Sequence, residues 1–102
     1  MDKEEALKCV TRFSDSIRVS YDPVMVVLYG SYARGVQTPS SDIDVAVIVD
    51  RVEGDFLEQE AGLYRKRREI DDRIEPVLLE FANDPSGFVK SVVSTGEIVY
   101  MR

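Results

Sequence analysis

Apolar residues recur at helical spacing at the start of the chain, where Ala6, Leu7, Val10, Phe13 and Ile17 fall on one stripe of a helix from about Asp2 to Val19. Acids occupy its first turn, and Arg12 and Arg18 lie toward its end, the order of charge that the helix dipole favours. Tyr21-Asp22-Pro23 breaks the helix, and the pattern then changes. Val24 to Tyr29 and Val45 to Val49 are continuous apolar runs with polar flanks, which predict strands buried on both faces, the second starting at about Asp42. Between them Ser31 to Arg34 predicts a short helix closed at Gly35, and Thr38-Pro39-Ser40-Ser41 predicts a turn.

Beyond a loop at Asp50 to Gly54, Asp55 is a candidate N-cap for a helix reaching about Asp71 and burying Phe56, Leu57, Ala61 and Tyr64. Arg73 to Glu80 predicts a third strand, in which Pro76 calls for a sheet edge or a local bend. Asn83-Asp84-Pro85-Ser86 opens another helix, with Phe88, Val89, Val92 and Val93 on its apolar side. Gly96 ends it, and Glu97 to Met101 predicts a short last strand. Helices alternating with strands imply an α/β or α+β domain, a small mixed sheet flanked by helices.

Length and composition narrow the chemistry. At 102 residues, the chain is expected to be one domain, 1–102, with any large acceptor supplied from outside. No apolar run approaches the roughly 18 residues of a membrane span. Met1-Asp2-Lys3-Glu4-Glu5 has the character of neither a secretory signal nor a transit peptide, so the expected location is the cytoplasm. The single cysteine, Cys9, allows no intrachain disulfide, and it reads as a small core residue. The absence of histidine removes histidine-activated nucleophiles and histidine-ligated metals. Carboxylates remain, and they suit hard cations. A net charge of −6 argues against broad nucleic-acid binding, yet it is compatible with a nucleotide whose phosphates a metal ion screens locally.

Those carboxylates occur in an informative place. Gly30-Ser31 follows the first apolar run, ten residues intervene, and Asp42-Ile43-Asp44 opens the second. Residues two apart on a strand share a face, so Asp42 and Asp44 can converge on one ion or a pair. Gly30 allows close approach of backbone to an anion, the Ser31 hydroxyl can hold a phosphate oxygen, and Arg34 is the nearby candidate for charge-assisted contact. Two-metal phosphoryl chemistry requires a further acid. Glu75, early in the third strand and in phase with Val77 and Leu79, is the choice over Asp71, Asp72 and Glu80. Tyr29 and Tyr32 read as packing residues, and Arg65-Lys66-Arg67-Arg68, flanked by acids, reads as a solvated helix face with local ion pairs.

The Gly30-Ser31 to Asp42-x-Asp44 signature resembles that of minimal nucleotidyltransferases of the DNA polymerase β superfamily, and the order of elements matches over nearly the whole chain. The resemblance implies a polymerase-β-like fold, Gly30 and Ser31 on the triphosphate of ATP or another NTP, and Asp42 and Asp44 as ligands of two Mg2+ ions. Glu75 then stands where the family usually has aspartate. It also implies an antitoxin role beside a helical HEPN ribonuclease, to which AMP would be transferred. Alternatives are a non-catalytic subunit that occludes its partner, transfer to a small molecule, and an operator-binding regulator, which the acidic balance disfavours. Pairing with itself or with a partner remains open at this level.

Overall fold

The two continuous apolar runs become the two central strands of a sheet, β1 (Met25–Tyr29) and β2 (Ile43–Val49), in a computed structural model that describes residues 1–102. Around them, in chain order, stand α1 (Lys3–Tyr21), α2 (Ser31–Arg34) between the central strands, α3 (Phe56–Arg67), β3 (Ile74–Glu80), α4 (Phe88–Thr95) and β4 (Glu97–Met101). The sheet order is β3-β2-β1-β4. β1 runs antiparallel to β2 and β4, whereas β2 and β3 are parallel and joined through α3, so the sheet is mixed.

Helices on both faces explain why the central strands carry no polar alternation. On one face Ile43, Val45, Val47 and Val49 join Val26, Leu28, Ile74 and Leu78 beneath Ala6, Val10, Phe13 and Ile17 of α1 and Leu63 of α3. On the other, Met25, Val27, Ala46 and Ile48 meet Val89 and Val92 of α4. The Asp2 side chain caps α1 by accepting from the Glu5 N–H at 2.8 Å, and Asp55 caps α3 through the Leu57 and Glu58 N–H groups. No helix is long and apolar enough to cross a membrane.

Two elements differ from the sequence expectation. α3 ends at Arg67 rather than near Asp71, because the chain tightens into three-residue bonds from Arg68, Glu69 and Ile70 N–H to Arg65, Lys66 and Arg67 carbonyls. It buries Leu63, and it leaves Phe56 and Leu57 exposed in its first turn. Polar contacts help set that orientation: Tyr21 donates its hydroxyl to the Gln59 carbonyl, and Glu60 accepts from the Leu78 N–H at 3.0 Å. α4 starts at Phe88, and Asp84 reaches forward to accept from the Val89 and Lys90 N–H groups at 2.9 and 3.1 Å.

Pro76 lies on the edge strand, as expected. The Leu78 N–H turns away from β2 toward Glu60, and the Phe81 N–H turns toward the Val49 carbonyl of β2. By that alternation the position of Pro76 would also point outward, so its missing donor removes no bond from the ladder. On the opposite edge, the β1–β4 register shifts between Val26 and Val27, a bulge in the pairing.

Candidate active site

Antiparallel pairing of β1 with β2 sets Tyr29 opposite Asp44, so the connection that leaves at Gly30 returns to its own starting point. Gly30 has φ 75° and ψ −150°, a conformation that essentially only glycine adopts. A Cβ there would also collide with the Asp44 Oδ2, so the backbone of the turn lies directly against the carboxylate. Gly30 caps α2 without a side-chain bond to its first amides. Gly35, at φ 71°, closes the helix with its N–H on the Ser31 and Tyr32 carbonyls. Tyr32 is buried in the larger core and fixes α2 to the sheet. The return is made by reciprocal bonds between Thr38 and Ser41, at 2.8 Å to the Ser41 hydroxyl and 3.0 Å to the Thr38 carbonyl.

Along β2, Asp44 falls in phase with Ala46 and Ile48 and therefore on the α4 face, with Asp42 two residues earlier just ahead of the strand. Asp44 is half-buried and Asp42 exposed. The parallel register pairs Asp44 with Glu75, whose neighbours in phase, Val77 and Leu79, also pack on that face. Tyr29, Asp44 and Glu75 thus occupy adjacent columns of one sheet face. Burial pushes the Asp44 carboxyl above its usual range, the charges of Asp42 and Glu75 push it further, and Arg34 partly opposes them. Arg34 is itself exposed on α2. Tyr29 is pushed up to about 12, first by burial and then by Asp44, and its ring meets Phe88 edge-on at 5.8 Å, in keeping with a packing role.

Glu75 is engaged on both carboxylate oxygens. Tyr64 donates its hydroxyl to Oε2 at 3.1 Å, and Arg67 Nη1 lies 3.4 Å from Oε1. The same Arg67 nitrogen donates to the Ile74 carbonyl at 2.9 Å, and the guanidinium lies 4.8 Å from the centre of the Tyr64 ring. Nowhere do three Asp, Glu or Cys side chains converge closely enough to form a metal cage on their own. The donor set nevertheless fits magnesium, which is ordinarily held by one or two carboxylates, waters and substrate phosphates rather than by an all-protein cage. The mutual repulsion felt at Asp44 is what a cation there would relieve.

Two of the three rejected acids, Asp71 and Glu80, have structural partners. Asp71 is paired with Arg73 at 2.7 Å and lies near the Cys9 thiol, while Glu80 accepts from the Val52 N–H at the far end of β3. Burial pushes the Cys9 thiol up, which makes it less reactive. Arg65 pairs with Glu58 at 2.9 Å, the local ion pairing expected of the basic run. Arg67, from the same run, goes instead to Glu75. Tyr64 and Arg67 are the site residues that the sequence reading missed. A signal for them existed: in a strand-helix-strand crossover, the last turn of the helix returns to the start of the next strand, where Glu75 stands.

A glycine-serine turn packed on an Asp-x-Asp strand, in this mixed sheet, defines a domain of the nucleotidyltransferase class. The chain belongs to the family described as Polymerase beta, Nucleotidyltransferase, whose model matches residues 15–102. Among solved structures it is similar to a Sulfolobus solfataricus protein provisionally assigned as a nucleotidyltransferase, with a TM-score of 0.72 and 20% identity over 98% of this chain and 84% of that one. That likeness bears on the fold. No curated protein matches the chain significantly.

Proposed function

We propose that the domain transfers a nucleoside monophosphate, AMP from ATP, to a hydroxyl group of a partner protein, with magnesium as cofactor. The partner in this reading is a HEPN-type ribonuclease, with the domain acting as its antitoxin. The observation that carries the chemistry is the packing of Gly30 against the Asp44 carboxylate with Glu75 in register beside it. Gly30 and the Ser31 hydroxyl hold phosphate oxygens, and Arg34 adds a charge-assisted contact. Asp42 and Asp44, with Glu75, would hold the cation. When bound, magnesium neutralises charge on the phosphates and polarises the α-phosphorus. The acceptor oxygen bonds to the α-phosphorus as the α–β bridge breaks, pyrophosphate leaves, and the hydroxyl proton passes to Glu75.

The test is incubation of the chain with Mg2+, each labelled NTP and the protein encoded by the adjacent gene, followed by intact-mass measurement. The expected result is a gain of whole AMP residues on the partner. Label on a small molecule instead would redirect the acceptor, and no transfer to any acceptor would sink the enzymatic reading. Glu75→Gln should slow transfer by about 10²- to 10⁴-fold while nucleotide binding survives, and an unchanged rate would remove Glu75 as base. Exposed Phe81 and Phe88 flanking the α4 side favour one second reading, a binding subunit that neutralises its partner by occlusion. Asp42→Asn with Asp44→Asn should leave occlusion intact and abolish catalysis.

A further inference from the structure

We propose that Tyr64 and Arg67 form a brace that positions Glu75 for the metal site, an inference that rests on the nucleotidyltransferase reading above. Glutamate has one more rotatable bond than aspartate, so a glutamate ligand starts with greater freedom to lose. The two contacts to Glu75 remove that freedom: the Tyr64 hydroxyl takes one oxygen and the Arg67 guanidinium the other. The brace is itself anchored. Arg67 makes its shorter bond, 2.9 Å, to the Ile74 carbonyl rather than to Glu75, and its guanidinium stacks on Tyr64 three residues earlier on α3. α3 is in turn tied to β3 by Glu60 on the Leu78 N–H, three residues along the strand from Glu75. Helix, arginine and tyrosine are thus fixed to the backbone of the strand that carries Glu75.

A carboxylate offers about four lone-pair sites, and the brace uses two, one per oxygen. The remaining lone pairs stay available for a cation shared with Asp44, which stands opposite Glu75 in the β2–β3 register. Arg67 also supplies positive charge beside Glu75, whose own charge, with that of Asp42, weighs on the Asp44 carboxylate. Tyr64 and Arg67 are positioning residues. They act through Glu75.

The experiment measures Mn2+ binding by water-proton relaxation. It uses the full chain with an ATP analogue carrying a methylene between the α and β phosphorus atoms, so that binding is read without turnover. Tyr64→Phe and Arg67→Gln should each weaken Mn2+ binding by about tenfold, the usual scale for partners that orient a metal ligand. Arg67→Lys, which keeps the charge, should recover part of the loss. In a Glu75→Gln background, Tyr64→Phe should add less than about twofold, because the residue it positions is gone. In turnover, the brace variants should raise the Mg2+ concentration for half-maximal rate and leave KM for the NTP nearly unchanged. Thermal melts show whether each variant is folded, and Tyr64→Phe, which retains the ring, is the one expected to melt as the parent does. Undiminished Mn2+ binding in folded Tyr64→Phe and Arg67→Gln, or an equal loss with and without Glu75, would overturn the brace. If Asp44→Asn binds Mn2+ as well as the parent, the active-centre reading itself fails, and the brace with it.

Discussion

The two faces of β2 do different work within one strand. Ile43, Val45, Val47 and Val49 all lie in the larger cluster under α1 and α3. On the opposite face the series runs from exposed Asp42 through half-buried Asp44 to fully buried Ala46 and Ile48 beneath α4. A one-residue step along the strand therefore moves from a position packed in the core to one that presents an acid beside the Gly30 turn. Because α4 covers only the far part of its face, acids are tolerated where the sheet emerges beside the Gly30 turn. The strand is rigid for the sake of one face, and the other face inherits that rigidity as preorganisation.

This contrast can be broken in graded ways. The largest effect is expected from Asp42→Asn with Asp44→Asn, which should reduce transfer by about 10³-fold or more while urea unfolding shows no loss of stability. Cooperative destabilisation of the double variant would mean that the acids also support the fold. Ile43→Ala, between those two acids but on the packed face, should cost about 2–5 kcal/mol in urea unfolding. A smaller loss, about 1 kcal/mol, is expected from Asp84→Ala, which strips α4 of the cap on its Val89 and Lys90 N–H groups.

The smallest effect concerns pH. The folded protein holds a proton on Asp44 more tightly than the unfolded chain does, so its ionised form opposes folding. Stability on this account is highest below the unfolded carboxylate range and falls as pH rises through the raised value. Asp44→Asn should consequently lift Tm at neutral pH by a few degrees, and the gain should vanish below about pH 4. A Tm difference independent of pH would assign the effect to something other than charge.

Much of this arrangement was legible because local chemistry and tertiary context agree. Gly35 and Gly96 end helices where they were expected to, Asp55 caps α3, and the unbroken apolar runs lie in the sheet centre. The Gly30-Ser31 turn and Asp-x-Asp were readable as spacing, and the antiparallel pairing of the two strands returns Asp44 to Gly30. What escaped was the face of α3. Its apolar residues are few, and its orientation is helped by polar contacts made through Glu60, Gln59 and Tyr21, whose partners lie 18 or more residues away. Tyr64 escaped because it read as a buried packing residue, whereas it is half-buried with its hydroxyl on Glu75, and Arg67 because it looked like a member of a solvated charged face.

The sheet edges carry a consequence for the protein's life among other chains. A free strand edge is a template for uncontrolled pairing, and a small sheet has two. Along β3, Pro76 offers no outward donor and the Leu78 donor is already spent on Glu60, while on the other side the bulge in β4 interrupts the regular spacing that a docking strand would need. Neither edge invites a zipper of copies. A crowded solution of this domain should resist fibre formation, and replacing Pro76 with Val is the change that would most directly reopen the template.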